Sequence, residues 1–222
     1  MKYFLDYGHG GNDSGAIGTD GVKEKDIVLE IGKRIKYHLE RHKQTVIESR
    51  KNDETVSLTE RSNKANENKV DLCISIHCNA FSNSSAQGVE IFFFQKSTRG
   101  EQLANNILNE ITKAKLFTKN RGLKTNNLHM TRETNMPSVL IELGFITNEN
   151  DKNLILNNKE NFAIAITKGI LNYYGINYKA ETTQTITTNK LYRVQVGAFS
   201  VKANAEKLAN ELKQKGYSTI IV

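Results

Sequence analysis

The sequence predicts an α/β fold in which an open, mostly parallel sheet is flanked by helices on both faces, with a small C-terminal strand–helix–strand appendage. Strand-like and helix-like patterns alternate through residues 1–176, and alternating elements of this kind build a parallel sheet. The segments Val70–Ile76 and Val139–Leu143 are apolar on both faces. That pattern is typical of parallel strands covered by helices on both sides.

Five segments are predicted to be strands because each is a short apolar or alternating run bounded by turn-forming residues. In chain order they span residues 2–7, 44–48, 70–77, 88–94 and 138–144. Pro137, the only proline, precedes the last of them, where a strand tolerates this residue.

Four helices are predicted, at 24–42, 58–68, 99–114 and roughly 158–174. The first carries an apolar stripe at helical spacing, formed by Ile27, Val28, Ile31, Ile35 and Leu39. The second and third each begin with a capping box, in which a hydroxyl residue precedes a glutamate by three positions. The pairs are Ser57 with Glu60 and Thr98 with Glu101.

A change in composition divides the chain into two parts. Residues 179–190 are Thr-rich and aperiodic, which predicts a linker at 178–190 between a domain at 1–177 and a segment at 191–222. The length of 222 residues suits one full domain and a small appendage. Within the last segment, the predicted elements are a strand at 191–196, a helix at 203–215 and a strand at 217–222.

The net charge of +7 is unevenly distributed, with +3 on residues 1–178 and +4 on residues 179–222. A basic surface favours an anionic polymer as partner, whether nucleic acid, a membrane surface or a phosphate-rich cell wall. A solvated surface that keeps the protein soluble explains the charge equally well. No apolar stretch approaches the roughly 20 residues that span a bilayer, so membrane insertion is not expected.

Cys73 and Cys78 are the only cysteines. Along an extended strand they would stand roughly 16 Å apart, which is too far for a disulfide. Two buried thiols are therefore expected, and a metal-ligand role for Cys78 is a weaker alternative.

Two histidines and one glutamate are predicted to form a metal site. His9 lies in the glycine-rich stretch Asp6–Gly11 after an apolar run, and His77 ends a predicted strand. The carboxyl ends of strands are where open α/β sheets bind ligands, so these imidazoles should lie close together. Glu24, between them in the chain, would by itself be explained as a first-turn carboxylate favoured by the helix dipole. Two imidazoles and one carboxylate leave one position of a tetrahedral zinc open for water, as in catalytic sites.

Glu142 is predicted to be the catalytic carboxylate. It stands in the apolar stretch Ser138–Leu143, where a charge is costly unless a metal, a hydrogen bond or a reaction uses it. Beside a zinc site, such a group would take a proton from the attacking water and return it to the leaving amine.

Three further residues, Asn79, His129 and Arg132, are candidates for substrate contacts. Asn79 lies two residues after His77, where it suits a contact with substrate or with the metal-binding histidine. His129 and Arg132 lie in a predicted loop before the Glu142 strand. An ordinary loop or surface role explains each of them equally well.

His38 and His42 are four residues apart on a predicted helix and could in principle form a metal pair. The glutamate that follows the first histidine in helical zinc-protease motifs is absent here. A solvated helix edge is therefore predicted.

Residues 1–176 resemble the zinc-dependent N-acetylmuramoyl-L-alanine amidases of the Amidase_3 type. The matching segments, in the family's order, are Asp6–Ala16, Val22–Lys25, Ser57–Asn66, Ser75–Ala80 and Met136–Asn148. Tyr7 and Cys78 depart from the family's usual residues, but neither is a ligand position.

The resemblance implies one Zn²⁺ per chain, bound by His9, Glu24 and His77, with Glu142 catalytic. It also implies hydrolysis of the amide bond between N-acetylmuramic acid and the L-alanine of the stem peptide, so that bacterial peptidoglycan is the expected partner and nucleic acid is not. Two rivals remain open. One is another zinc amide hydrolase or peptidase acting on cell-wall peptides, and the other is a non-catalytic wall-binding protein.

The tail is similar to the first half of a SPOR domain. The similarity covers Leu191–Phe199 and the helix that follows, and it implies binding to peptidoglycan glycan strands. A segment this short buries too little surface to be stable alone. We therefore expect either docking on the catalytic domain or a homodimer in which two half-domains pair.

The N-terminus enters a predicted strand directly, without the apolar region of a signal peptide. The expectation is synthesis in the cytoplasm without a signal peptide, followed by action on the cell wall after lysis or release. This fits an endolysin or an autolysin.

Overall fold

A computed structural model describes residues 1–180, 195–217 and 219–221 of the chain. The chain divides into two units, Met1–Lys179 and Ala180–Val222.

Six strands form one sheet in the first unit. They are β1 (Lys2–Tyr7), β2 (Thr45–Glu48), β3 (Leu72–Asn79), β4 (Val89–Phe93), β5 (Asn120–Thr125) and β6 (Ser138–Phe145). Their order across the sheet is β2-β1-β3-β6-β4-β5. The first four strands in this order are parallel, β4 is antiparallel to β6, and β5 is parallel to β4. The sheet is mostly parallel, as predicted, with one reversal between β6 and β4.

Helices cover both faces of the sheet, which confirms the predicted architecture. They are α1 (Glu24–Arg41), α2 (Leu58–Glu67), α3 (Thr98–Lys113), α4 (His129–Arg132), α5 (Glu149–Asn157) and α6 (Lys159–Tyr173). The larger apolar core lies under α1, α3 and α6 and includes Leu5, Ile74 and Ile141. A smaller core, which includes Phe4 and Cys73, lies under α2 and α4 on the opposite face.

Three elements of the first unit were not predicted, namely β5, α4 and α5. The strand β5 reads Asn-Arg-Gly-Leu-Lys-Thr and offers Leu123 as its single apolar side chain, so it lacks an apolar pattern. The helix α4 has four residues, too few to show a helical period. At the start of α3, Ser97 and not Thr98 is the N-cap, and its side chain accepts from the backbone N–H of Gly100. The predicted capping box was therefore one residue late, whereas that of Ser57 and Glu60 is present.

The second unit contains α7 (Lys202–Gln214), which confirms the helix predicted in the tail. Residues 195–199, 217 and 219–221 are not in strands. The rest of the two strands predicted there, and residues 181–190 of the predicted linker, lie outside the described residues. Among the helices of the described ranges, none is long and apolar enough to cross a membrane.

The prediction that His38 lies on a solvated helix edge was wrong. This side chain is buried, with Nε2 at 2.7 Å from Glu160 Oε1 and Nδ1 at 3.1 Å from the Tyr178 hydroxyl. His42 stacks on the Tyr178 ring, and its Nε2 accepts from the backbone N–H of Lys179. Through these contacts, His38 and His42 hold Tyr178 and Lys179, at the end of the first unit, against α1. Both cysteines are free and buried, as predicted.

Candidate active site

The four predicted site residues meet at the carboxyl ends of β1, β3 and β6. His9 follows β1 by two residues, and His77 lies near the end of β3. Glu142 of β6 is in register with His77 across the β3–β6 pair. Glu24 is the first residue of α1, which brings its carboxylate back to the same edge of the sheet.

His9, Glu24 and His77 are arranged so that they could hold one metal ion. His9 Nε2 is 3.1 Å from Glu24 Oε2, His77 Nδ1 is 3.0 Å from Glu24 Oε1, and the two imidazole nitrogens are 3.2 Å apart. Three candidate ligand atoms, one from each residue, lie within 4.8 Å of one another. Two nitrogens and a carboxylate oxygen are the donor set that suits zinc. The residues therefore fit the metal that the family resemblance implies.

Two glycines leave the room that this convergence requires. A Cβ at Gly8 would stand 2.3 Å from the His77 ring. A Cβ at Gly15 would stand 2.6 Å from both Glu24 Oε2 and the His9 ring, and the Gly15 φ of +63° is unfavourable for other residues. A side chain at either position would push the ligands apart.

The backbone and Asp13 orient the candidate metal ligands. Glu24 Oε2 accepts from the N–H of Ala16 at 2.9 Å, and Oε1 accepts from the N–H of Cys78 at 2.8 Å. His9 Nδ1 is 2.8 Å from Asp13 Oδ2. A carboxylate that accepts from Nδ1 fixes which imidazole nitrogen carries the proton and leaves Nε2 free to bind a metal.

Charge in the cluster is set by mutual contacts that outweigh burial. Burial alone would raise the pKa of Glu24, but hydrogen bonds from His77 and His9 lower it to about 2. Burial disfavours a charged His9, yet the hydrogen bonds and charges of Glu24 and Asp13 raise its pKa to about 9. A cation is therefore electrostatically favoured between these side chains.

Two buried arginines hold the loop that carries His9. The Arg50 guanidinium donates to the carbonyl oxygens of Tyr7 and Gly8, each at 3.0 Å. The Arg61 guanidinium donates to the carbonyls of Tyr7 and His9, each at 2.6 Å. Buried carbonyl groups require such donors, and here three consecutive carbonyls are satisfied. His9 itself has a φ of +60°, an uncommon conformation for a non-glycine residue that these contacts help to hold.

Asp6 balances the charge of Arg61 beneath the site. Its Oδ1 accepts from Arg61 at 2.7 Å, and its Oδ2 accepts from the Ser75 hydroxyl at 2.6 Å. Burial opposes ionisation of Asp6, but the charges of Arg61 and His77 lower its pKa. The ion pair is fully buried and hydrogen-bonded, which is the condition under which such a pair is tolerated.

Glu142 differs from Glu24 in its hydrogen bonding. Within the described part of the chain, its buried Oε2 has no hydrogen-bond partner. Burial raises the pKa of Glu142 to about 7; the charge of His77 opposes this rise, whereas those of Glu24 and Glu90 add to it. A carboxylate with this pKa can both accept and return a proton near neutral pH.

A cleft of about 510 Å³ opens over these residues. It is lined by His9, Ala16, Glu24, His77, Cys78, Asn79, Ala80, Glu90, Phe92, Asn126, Leu128, Leu140 and Glu142. Among the predicted substrate contacts, Asn79 lies in this lining. Its side-chain amide donates to Glu90 Oε1 at 2.6 Å. Glu90 was not predicted, because its place in the site depends on the pairing of β4 with β6.

His129 and Arg132 are not brought into this lining. His129 Nε2 is 3.0 Å from the Ser62 hydroxyl. Arg132 lines a second, smaller cleft and pairs with Glu133 and Asn127. Their roles as substrate contacts stay predictions, and neither has support from the geometry.

Fold and site together define a class: an open α/β protein with a His/Glu/His group able to hold a metal ion beside a glutamate whose pKa is raised to about 7. Residues 4–172 match the family described as N-acetylmuramoyl-L-alanine amidase, Amidase_3, and residues 171–222 match the SPOR domain. The chain belongs to this amidase family, as the sequence motifs predicted.

Named relatives agree with this assignment. N-acetylmuramoyl-L-alanine amidase CwlM of Bacillus licheniformis is 33% identical over 226 aligned residues, which cover 100% of this chain and 85% of the relative. The sporulation-specific N-acetylmuramoyl-L-alanine amidase of Bacillus subtilis is 35% identical and is covered to 84% of its length, again with 100% of this chain. Among solved structures, the amidase AmiC2 of Nostoc punctiforme is 34% identical with a TM-score of 0.75 over 78% of this chain and 97% of that one.

Proposed function

We propose that this chain is a zinc-dependent N-acetylmuramoyl-L-alanine amidase that hydrolyses the amide bond between N-acetylmuramic acid and L-alanine in peptidoglycan. One zinc ion would be held by His9, Glu24 and His77. The observation that carries the proposal is the position of Glu142, in register with His77 and with a buried oxygen that lacks a partner in the described part of the chain. Its place of action is the bacterial cell wall.

Each residue has a defined part in the proposed reaction. When bound, zinc supplies a Lewis acid that polarises the scissile carbonyl and makes water more acidic. Glu142 accepts a proton from the attacking water and returns it to the nitrogen of L-alanine as the carbon–nitrogen bond breaks. Glu24, held by the backbone N–H groups of Ala16 and Cys78, keeps its charge throughout. Asn79 is the substrate contact supported by its position in the cleft.

Product analysis tests the bond that is cut. The full chain, reconstituted with zinc, is incubated with purified peptidoglycan, and newly formed amino termini are identified by labelling and mass spectrometry. The expected result is a new N-terminal L-alanine together with intact glycan strands. Termini within the peptide would instead support a cell-wall peptidase. Unchanged peptidoglycan that nevertheless retains the protein would support a wall-binding protein without activity.

For the second unit we propose wall binding through a SPOR-like segment at 191–222, joined by a linker at 178–190 to the catalytic domain at 1–177. The match of residues 171–222 to the SPOR family supports this assignment. Several described apolar side chains of this unit are exposed, among them Val196, Phe199 and Tyr217. Because so small a unit buries little surface, we propose that two chains pair their half-domains in a homodimer.

Sedimentation of the full chain at high micromolar concentration tests the pairing. A dimer is expected, and Phe199→Ser should shift it towards monomer. The control is Lys207→Ser, which changes an exposed polar position of the same unit. A monomeric parent protein would overturn the homodimer.

A further inference from the structure

The cleft continues past Glu142 towards the far edge of the sheet. Glu142 is paired with His77 of β3 on one side and with Glu90 of β4 on the other. The three side chains thus form a row across neighbouring strands, with the metal-binding group at one end. Glu90 is buried and lines the cleft.

Two cations from β5 converge on Glu90 at the other end of this row. Glu90 Oε2 accepts from Arg121 Nε at 2.7 Å and from Lys124 Nζ at 2.5 Å, while Oε1 accepts from the Asn79 amide. One cation would neutralise the carboxylate, so the cluster carries a surplus positive charge. This positive charge lies on the far side of Glu90 from the acidic side chain of Glu142.

Both cations keep donors available to a ligand. The side chains of Arg121 and Lys124 are 28% and 36% exposed. Within the described part of the chain, each donates one hydrogen bond, to Glu90, and their remaining N–H groups have no acceptor. The Arg121 guanidinium also lies over the Phe145 ring, 5.0 Å from its centre, which fixes its position. A fixed guanidinium beside an ammonium is suited to bind a carboxylate.

The direction of the proposed reaction decides which part of the substrate reaches these cations. Glu142 returns a proton to the leaving nitrogen, so the peptide side of the scissile bond must lie towards Glu142 and beyond it. Neighbouring strands are about 4.8 Å apart, so the backbone of β5 lies about 10 Å from that of β6, which carries Glu142. The side chains of Arg121 and Lys124 reach back to Glu90 and therefore lie closer to Glu142 than this. An extended peptide advances about 3.5 Å per residue, so the main-chain carboxyl group of the second residue lies about 7 Å from the cut.

We propose that Arg121 and Lys124, held by Glu90, form a subsite for a carboxylate on the stem-peptide residue that follows L-alanine. This inference rests on the amidase function proposed above. It makes the protein prefer peptides with a free acid at that position over peptides in which the acid is amidated. Glu90 is a positioning residue in this arrangement.

Two synthetic muramoyl dipeptides test the subsite, identical except for a carboxylate or a primary amide on the second residue. With the zinc-loaded full chain, kcat/KM should favour the acid by about tenfold, mainly through KM. Lys124→Met should bring the acid-to-amide ratio towards one, and Arg121 remains to pair with Glu90. Lys119→Met, which removes an exposed lysine just before β5, should keep the parent ratio.

Binding gives a second readout that does not depend on turnover. In zinc-loaded Glu142→Gln protein, calorimetry should show the acid bound about tenfold more tightly than the amide. Equal kcat/KM for both substrates, or an equal loss on both in Lys124→Met, would overturn the subsite while leaving the amidase function intact. Failure of the zinc-loaded parent protein to cleave either substrate would overturn both proposals.

Discussion

The candidate metal-binding end of the cleft, formed by His9, Glu24 and His77, and the centre of the cleft each contain a glutamate with a buried oxygen, but in contrasting surroundings. Both oxygens of Glu24 accept backbone N–H groups and lie within 3.1 Å of an imidazole nitrogen, and its pKa is lowered to about 2. The Glu142 carboxylate leaves its Oε2 without a partner in the described residues, and burial raises its pKa to about 7. Desolvation acts to raise the pKa of both carboxyl groups, so the neighbouring donors decide which one stays charged.

This contrast separates two tasks. A carboxylate that keeps its charge at all working pH values can hold a cation. A carboxylate that titrates near neutral pH can accept and return a proton. Holding such a group away from water lowers the stability of the folded protein. The following experiments change one region at a time and ask whether the other is affected.

The largest effect is expected from Glu24→Gln. Removing the charge that both histidines share should abolish zinc retention on dialysis, and activity should be lost with it. Metal analysis and product formation are measured on the same preparation. Glu67→Gln, at an exposed position on α2, is the matched control and should keep both properties. Full zinc retention by Glu24→Gln would remove this residue from the metal site.

Glu142→Gln should lower activity without removing the metal. Loss of the proton acceptor is expected to lower kcat by about 10²- to 10⁴-fold, with zinc content unchanged. If instead metal and activity are lost together, Glu142 belongs to the metal-binding region and the two tasks are not separate. If the variant lyses wall as well as the parent protein, Glu142 is not the catalytic carboxylate.

The same substitution should stabilise the metal-free protein, with a defined pH dependence. The folded-state pKa of Glu142, about 7, lies above its usual value of 4.5, so the unfolded chain ionises first as pH rises. The folded state therefore loses stability between pH 4.5 and 7, and the full cost is present above that range. Thermal unfolding should show Glu142→Gln more stable than the parent by at most about 3 kcal/mol at pH 8, and little changed at pH 4. A variant destabilised equally at both pH values would show that ionisation of Glu142 does not destabilise the folded protein.

Local sequence patterns indicated the two histidines of the candidate metal site, whereas the assignment of Glu24 to that site also rested on the family resemblance. His9 and His77 each end an apolar strand, and parallel strands bring such ends to one edge of the sheet. Glu142 was recognisable because a carboxylate inside an apolar strand requires a reason. The strands β1, β3 and β6 could be predicted because their apolar runs are typical of the buried centre of a sheet.

The remaining parts of the site depend on long-range pairing. Glu90 reaches Glu142 because β4 runs antiparallel to β6, and no local pattern indicates that reversal. The strand β5 lacks apolar alternation, so the sequence did not predict that Arg121 and Lys124 lie near the site. Arg50 and Arg61 are buried against carbonyl groups more than 40 residues away in the chain, whereas arginine in a sequence ordinarily indicates the surface.

The smallest effect is expected from Arg61→Lys, which tests how far the metal-binding end depends on its buried support. An ammonium can still neutralise Asp6, but it cannot at once reach the carbonyl groups of Val56, Tyr7 and His9 to which the guanidinium donates. The His9 loop should then lose part of its fixed geometry. Supporting contacts of this kind are typically worth about 10- to 100-fold in metal affinity, and we expect the lower end because Arg50 remains.

Competition with a chelator measures zinc affinity in this variant, and thermal unfolding of the metal-free protein is followed in parallel. Arg34→Lys is the control, because Arg34 makes ion pairs with Glu30 and Glu160 on α1 and α6, outside the cleft. A loss of stability with unchanged zinc affinity would mean that Arg61 supports the fold and not the ligand geometry. Loss of zinc affinity in Arg61→Lys, with affinity preserved in Arg34→Lys, would show that the charge of Glu24 alone is insufficient and that the metal-binding end also requires a rigid His9 loop.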